Sequence, residues 1–140
     1  METLSELLDE AAMVPLAERL EWLVELGEDL PAPSAAAGEL RRLPECQSPV
    51  SWAARLDASD VFHLAITVPS SAVVVRGFAG LIVPTLDGRP AQQVRTAPTD
   101  LVGQLGLGDA VSPLRLRGLH ALWNHVRAAA EPVDDPAGLA

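Results

Sequence analysis

The chain reads as an α+β protein, with helices on both sides of one antiparallel hairpin. Three observations point there. Apolar residues recur at helical spacing up to about residue 30, alternate with period two from Val50 to Val68, and return to helical spacing afterwards.

In order along the chain, residues 3–12 form a first helix with Leu4, Leu7, Leu8 and Ala11 on one face. Val14-Pro15 interrupts it, and Pro15 suits the first position of a second helix. That helix buries Leu16, Leu20, Leu23, Val24 and Gly27 and turns Glu18, Glu21, Glu25 and Glu28 outward. Leu30-Pro31-Ala32-Pro33 stops it, and residues 34–39 read as a small, flexible connection. Strands over 50–56 and 61–68 form a hairpin around the turn Asp57-Ala58-Ser59-Asp60. Its apolar face carries Val50, Trp52, Ala54 and Leu56 on one strand and Phe62, Leu64, Ile66 and Val68 on the other.

A serine cap before a long apolar run predicts a buried helix over 71–83, closed by Pro84. Residues 85–90 read as a turn around Asp87-Gly88. Short helices follow at 90–95 and 99–106, the second capped by Thr99. Ser112-Pro113 is a strong helix start, and the last helix runs to about Ala130, burying Leu116, Leu119, Leu122, Trp123 and Val126. Residues 1–130 read as one domain, and 131–140 as a disordered tail.

Composition removes whole reaction classes. All ten basic residues are arginine, so chemistry that needs a lysine is excluded: Schiff bases, pyridoxal phosphate bound by this chain, P-loops. Cys46 is the sole cysteine, too few for a thiolate zinc or iron–sulfur site. It cannot form an internal disulfide, so a reducing compartment is expected. The acidic start carries no basic region of a secretory signal, and no apolar run reaches membrane-spanning length; a cytoplasmic protein is expected. A net charge of −9 opposes binding to nucleic acid. Eleven of the nineteen carboxylates precede or adjoin Cys46, which reads first as a solvated helix face and second as a docking surface for a basic partner.

Cys46 lies between Pro44 and Pro49 in the loop that leads into the first strand. Cysteine is among the most buried residue types, so an inert core thiol is the plain alternative. A loop position beside Glu45, Gln47 and Ser48 is unlike a core site. His120 and His125 splay to different faces of their helix, and His63 sits on the outer side of its strand. None suggests a metal. Gly103-x-x-Gly106-x-Gly108 follows no strand and reads as helix termination.

Four segments then carry a family likeness. Leu26-Gly27 with Leu30-Pro31 looks like a Leu-Gly-x-x-Leu-Pro helix end, and Cys46-Gln47-Ser48-x-Val50 like a Cys-Gln-Ser-x-Val acceptor loop. Val73-Val74-Val75-Arg76-Gly77-Phe78 and Ser112-Pro113-Leu114-Arg115 with Gly118-Leu119 are similar to two further helix motifs. In this order they resemble the SufE family of sulfur-acceptor proteins. The resemblance implies a small antiparallel sheet covered by helices, as in NifU/IscU-type scaffolds. It implies a SufS-type cysteine desulfurase as partner, with pyridoxal phosphate on that partner and no cofactor on this chain. By the same likeness Cys46 accepts sulfur as a persulfide and relays it to an iron–sulfur assembly scaffold, with Gln47, Ser48 and Arg115 in accessory roles. No independent turnover is expected, and whether the chain pairs with a second copy stays open. The sequence departs from the family pattern at Glu45, where glycine is frequent, and at Ser71, where aspartate is.

Arg41, Arg42 and Arg115 are the side chains available to favour a thiolate, and Trp52, Phe62 and Leu64 are expected to shelter a persulfide. A single-cysteine redox sensor and a binding module of the same fold are the competing readings; the first would want a resolving cysteine.

Overall fold

The alternating stretch becomes the centre of a four-stranded antiparallel sheet in the computed structural model, which describes residues 2–132. Strands β2 (Ser51–Leu56) and β3 (Val61–Thr67) pair as the expected hairpin, with Trp52 opposite Ile66 and Ala54 opposite Leu64. Asp57 ties the turn by accepting from Ser59 N–H at 2.8 Å and Val61 N–H at 3.1 Å. Two edge strands were not expected. β1 (Arg41–Arg42) pairs with β2, and β4 (Arg89–Pro90) pairs with β3 where a turn was read. Each has two residues, and it is the free backbone edge of the hairpin, not their own side chains, that makes them strands.

The outer face of the hairpin is also covered. Residues 34–39, read as a flexible connection, contain a 3₁₀ turn at Ala35–Ala37 whose Ala37 packs with Ala53 and Ala65. Arg55 fastens it by donating to Ala36 C=O.

Helix α1 (Leu4–Met13) begins with a capping box between Thr3 and Glu6. The second helix is α2 (Arg19–Leu26), with 3₁₀ turns at Leu16–Glu18 and Gly27–Asp29. Pro15 therefore stands one residue before the helical start. Leu16 is 67% exposed rather than buried. Only Leu23 of α2 is fully buried, because the helix lies against the rest of the protein along a narrow stripe.

Helix α3 (Val73–Leu86) runs through Pro84 instead of stopping there. The proline removes one backbone hydrogen bond, but Asp87 N–H still reaches Val83 C=O at 2.9 Å, so the last turn closes beyond it. Its N-cap is Ala72 rather than a serine. Short helices α4 (Gln92–Arg95) and α5 (Leu101–Gln104) follow; Asp100, not Thr99, caps α5, accepting from Gly103 N–H at 3.0 Å. Gly106, at φ +66°, ends this segment as expected. Helix α6 (Pro113–Ala129) starts on the Ser112 cap and buries Leu119, Leu122, Trp123 and Val126, with Leu116 half-buried.

The core lies between the sheet and α3, with α6 closing the end that faces the β1–β2 loop. No helix among the described residues is long and apolar enough to cross a membrane. Most of the tail predicted as disordered, residues 133–140, lies outside the described residues.

Candidate functional site

Cys46 sits in a loop whose two feet are pinned in the core. Leu43 and Val50 are fully buried, and Leu43 N–H donates to Val50 C=O at 2.8 Å, extending the β1–β2 ladder by one rung. Between them the chain makes a tight turn over Pro44 and Glu45, closed by Cys46 N–H on Leu43 C=O at 3.3 Å. Arg42 reaches across to Ser48 C=O at 3.4 Å. Pro44, Glu45, Gln47 and Pro49 are exposed, whereas Cys46 turns inward and is 8% exposed. The thiol is thus buried although its loop looks unlike a core segment.

The inward turn is possible because of Gly118 on α6. A Cβ there would stand 2.8 Å from Cys46 Sγ. Sγ opens on a cleft of about 170 Å³ lined by Gln47, Ser48, Ser71, the first turn of α3, Leu114 and Arg115. A water molecule's share of liquid volume is about 30 Å³, so there is room for a few atoms beside the sulfur. The walls come from the starts of α3 and α6. The expected shelter of Trp52, Phe62 and Leu64 does not line the cleft; those side chains belong to the core behind it. Val73 and Leu114, both 46% exposed, form its apolar rim.

The surroundings disfavour a resting thiolate. Burial pushes the Cys46 thiol above its ordinary range, the neighbouring Glu45 carboxylate pushes it further, and the Arg42 guanidinium pulls it back. Of the three arginines considered for activation, Arg42 is the one whose charge bears on the sulfur. Arg41 instead lies over the Trp52 ring, 4.5 Å from its centroid, as its direct cross-strand neighbour. Arg115 is exposed on the first turn of α6, its N–H donated to the Ser112 hydroxyl at 3.3 Å.

One neighbour escaped the sequence reading. His125 Nε2 lies 3.5 Å from the Glu45 carboxylate, and its ring stacks on Trp52 with centroids 5.2 Å apart. It follows Gly118 by seven residues, two helical turns, so both fall on the face of α6 that meets the loop. That spacing was the available signal. His120 points elsewhere, 3.9 Å from Asp100, and His63 Nε2 bonds Asp57 at 2.8 Å. Among the described residues no group of three or more His, Cys, Asp or Glu could hold a metal ion. Arg76 ties α3 to the end of β3 through Val68 C=O at 2.9 Å.

Comparison with known proteins gives a consistent result. A family model for SufE, described as an Fe–S metabolism associated domain, matches residues 5–130. An uncharacterized SufE-like protein of Mycobacterium tuberculosis is 36% identical over 135 residues, covering 94% of this chain and 93% of the relative. One from Rhizobium meliloti is 28% identical over 137 residues, covering 94% and 96%. The solution structure of a hypothetical protein from Thermus thermophilus superposes with a TM-score of 0.74 at 31% identity, over 91% of this chain and 92% of that one.

Proposed function

The chain belongs to the SufE family, whose domain is associated with Fe–S metabolism, and from that premise we propose that it accepts sulfur on Cys46 from a cysteine desulfurase and relays it to iron–sulfur cluster assembly. The observation that carries this reading is the position of the one thiol. It is held over a small cleft, on a loop with pinned feet and an exposed tip, with no second cysteine to resolve a product as a disulfide.

The chemistry needs little else. The Cys46 thiolate attacks the outer sulfur of a donor persulfide. A new S–S bond forms at Cys46, the donor's S–S bond breaks, and its electron pair leaves with the donor sulfur as a thiolate. The transferred sulfur keeps its oxidation level, so no external oxidant or reductant takes part. A resting thiol held above its ordinary pKa is poorly nucleophilic. Activation then belongs to the encounter, when the loop leaves the cleft, burial is relieved and the partner supplies its own groups.

The partner is a desulfurase of the SufS type, carrying pyridoxal phosphate on its own lysine, and a downstream scaffold takes the sulfur next. Gln47 and Ser48 shape the loop, and Arg115, exposed beside the apolar rim of Val73 and Leu114, serves docking. The chain binds no cofactor and turns nothing over alone. A reducing cytoplasm suits its unpaired thiol.

Incubation with a SufS-type desulfurase and cysteine, followed by intact-mass measurement, tests this. One added sulfur, absent in Cys46→Ser, supports it. An unmodified mass under conditions where the desulfurase turns over overturns it, and preferential oxygen adducts with dilute peroxide would favour a redox sensor.

A further inference from the structure

Helix α6 grips the acceptor loop at two points. Gly118 receives the thiol, and two turns further His125 receives the carboxylate of Glu45. Glu45 occupies the third position of the turn closed by the Leu43 C=O and Cys46 N–H pair, so whatever holds Glu45 holds the turn that presents the sulfur. The imidazole is itself oriented. It stacks on Trp52 at an interplanar angle of 26°, and the same indole carries the Arg41 guanidinium. The Glu45 carboxylate also opposes the thiolate. A side chain unfavourable to the chemistry needs a use in the closed loop.

We propose that His125 is a positioning residue, latching the acceptor loop shut through Glu45 and releasing it as the imidazole loses its proton. The protonated ring pairs with the carboxylate; the neutral ring offers at most a long hydrogen bond at 3.5 Å. The groups facing His125 are Glu45 from the loop and Arg41 and Arg42 from β1, in a shallow depression that also includes Trp52. The two arginines stay charged throughout the range in which a histidine titrates, so Glu45 is the group whose pairing with the ring changes. Loop release and thiol ionisation then run in the same direction as pH rises.

This inference rests on Cys46 being the acceptor, because only then does loop opening have a consequence. Its test needs no desulfurase. Hydrogen exchange at the Cys46 amide reads the turn directly, expressed as protection relative to the intrinsic rate at each pH. For an exposed ion pair the expected effect is about three-fold more protection near pH 5.5 than near pH 8. His125→Gln should lose that difference and show the lower protection at both values. Glu45→Gln should match it, and the two changes together should do no more than either alone. His125→Arg, charged at both values, should keep the higher protection at both. Protection in the native protein that does not change with pH overturns the latch. So does His125→Gln that retains the change, or His125→Arg that behaves like His125→Gln. Loss of sulfur transfer with an intact latch would instead sink the acceptor reading alone.

Discussion

The Cβ that Gly118 lacks would stand 2.8 Å from Cys46 Sγ, closer than the two atoms can settle. Glycine at this position of α6 is therefore what lets the thiol lie inward. Replacing it separates loop position from fold stability. Gly118→Ala gains helix propensity of up to about 1 kcal/mol, and overpacking a well-filled site costs about 1–3 kcal/mol. Because the thiol can swing outward to relieve the clash, the net change should stay within about 1 kcal/mol. The rate of Cys46 modification by a neutral maleimide should rise several-fold. An unchanged rate together with a large loss of stability would mean that the loop cannot open around this contact.

The charges flanking the sulfur act in opposite directions, and substitutions should show both. Glu45→Gln should lower the thiol pKa, and Arg42→Ala should raise it, read from thiolate absorbance against pH. Linkage fixes a further sign. The folded thiol is held above its unfolded value, so the unfolded chain ionises first. Stability is complete below the unfolded value, about 8.5, and declines as pH rises through the folded value. Cys46→Ser should remove that alkaline decline from urea midpoints.

Much of this arrangement is legible in the sequence, and the reasons for the gaps are physical. The hairpin and its buried face followed from alternation, since a shift of one residue would expose Phe62, Leu64 and Ile66 together. The start of α6 followed from Ser112-Pro113. Arg41-Arg42 and Arg89-Pro90 carry no strand signature, because their pairing is imposed by the neighbouring strand. The cleft walls were misassigned for a related reason. Local alternation says which side of a strand is apolar, not which helix starts approach the loop across from it. Glu45 and His125 are eighty residues apart, and only the fold brings them together.

The crossing of α2 and α3 depends on backbone touching backbone. Cβ atoms on Gly77 and Gly80 would run into the carbonyl oxygens of Leu23 and Leu26, and one on Gly27 would come within 2.7 Å of the Arg76 carbonyl carbon and Gly77 nitrogen. Unlike Gly118, these positions face no side chain that can turn away. Gly77→Ala and Gly80→Ala should each cost about 3 kcal/mol or more, at or beyond the upper end of ordinary overpacking. Urea midpoints should fall sharply for both. A shift comparable to that of Gly118→Ala would show that the two helices can slide apart without loss.

Acid should loosen the hairpin turn before it disturbs the core. Asp57 is held below the usual carboxylate range by its hydrogen bond to His63 and by the Val61 and Ser59 amides. Asp60 is lowered by Arg95, which it meets with both carboxylate oxygens at 2.8 Å. Arg95 also donates to Ala130 C=O at 2.8 Å, so this one side chain joins the turn, α4 and the end of α6. For a depressed carboxylate the stabilisation is present above the unfolded value, about 3.9 for aspartate, and is lost as pH falls through the folded value. Glu10 acts in the opposite sense, because a hydrogen bond with Glu2 raises it and favours the protonated form. The native protein should therefore show a falling Tm below about pH 4. Asp57→Asn and Asp60→Asn should start lower at neutral pH and fall less steeply in acid. Asp60 is exposed and Asp57 half-buried at the surface, so the slopes should differ modestly, and parallel curves for native and variant proteins would assign the acid sensitivity to other carboxylates.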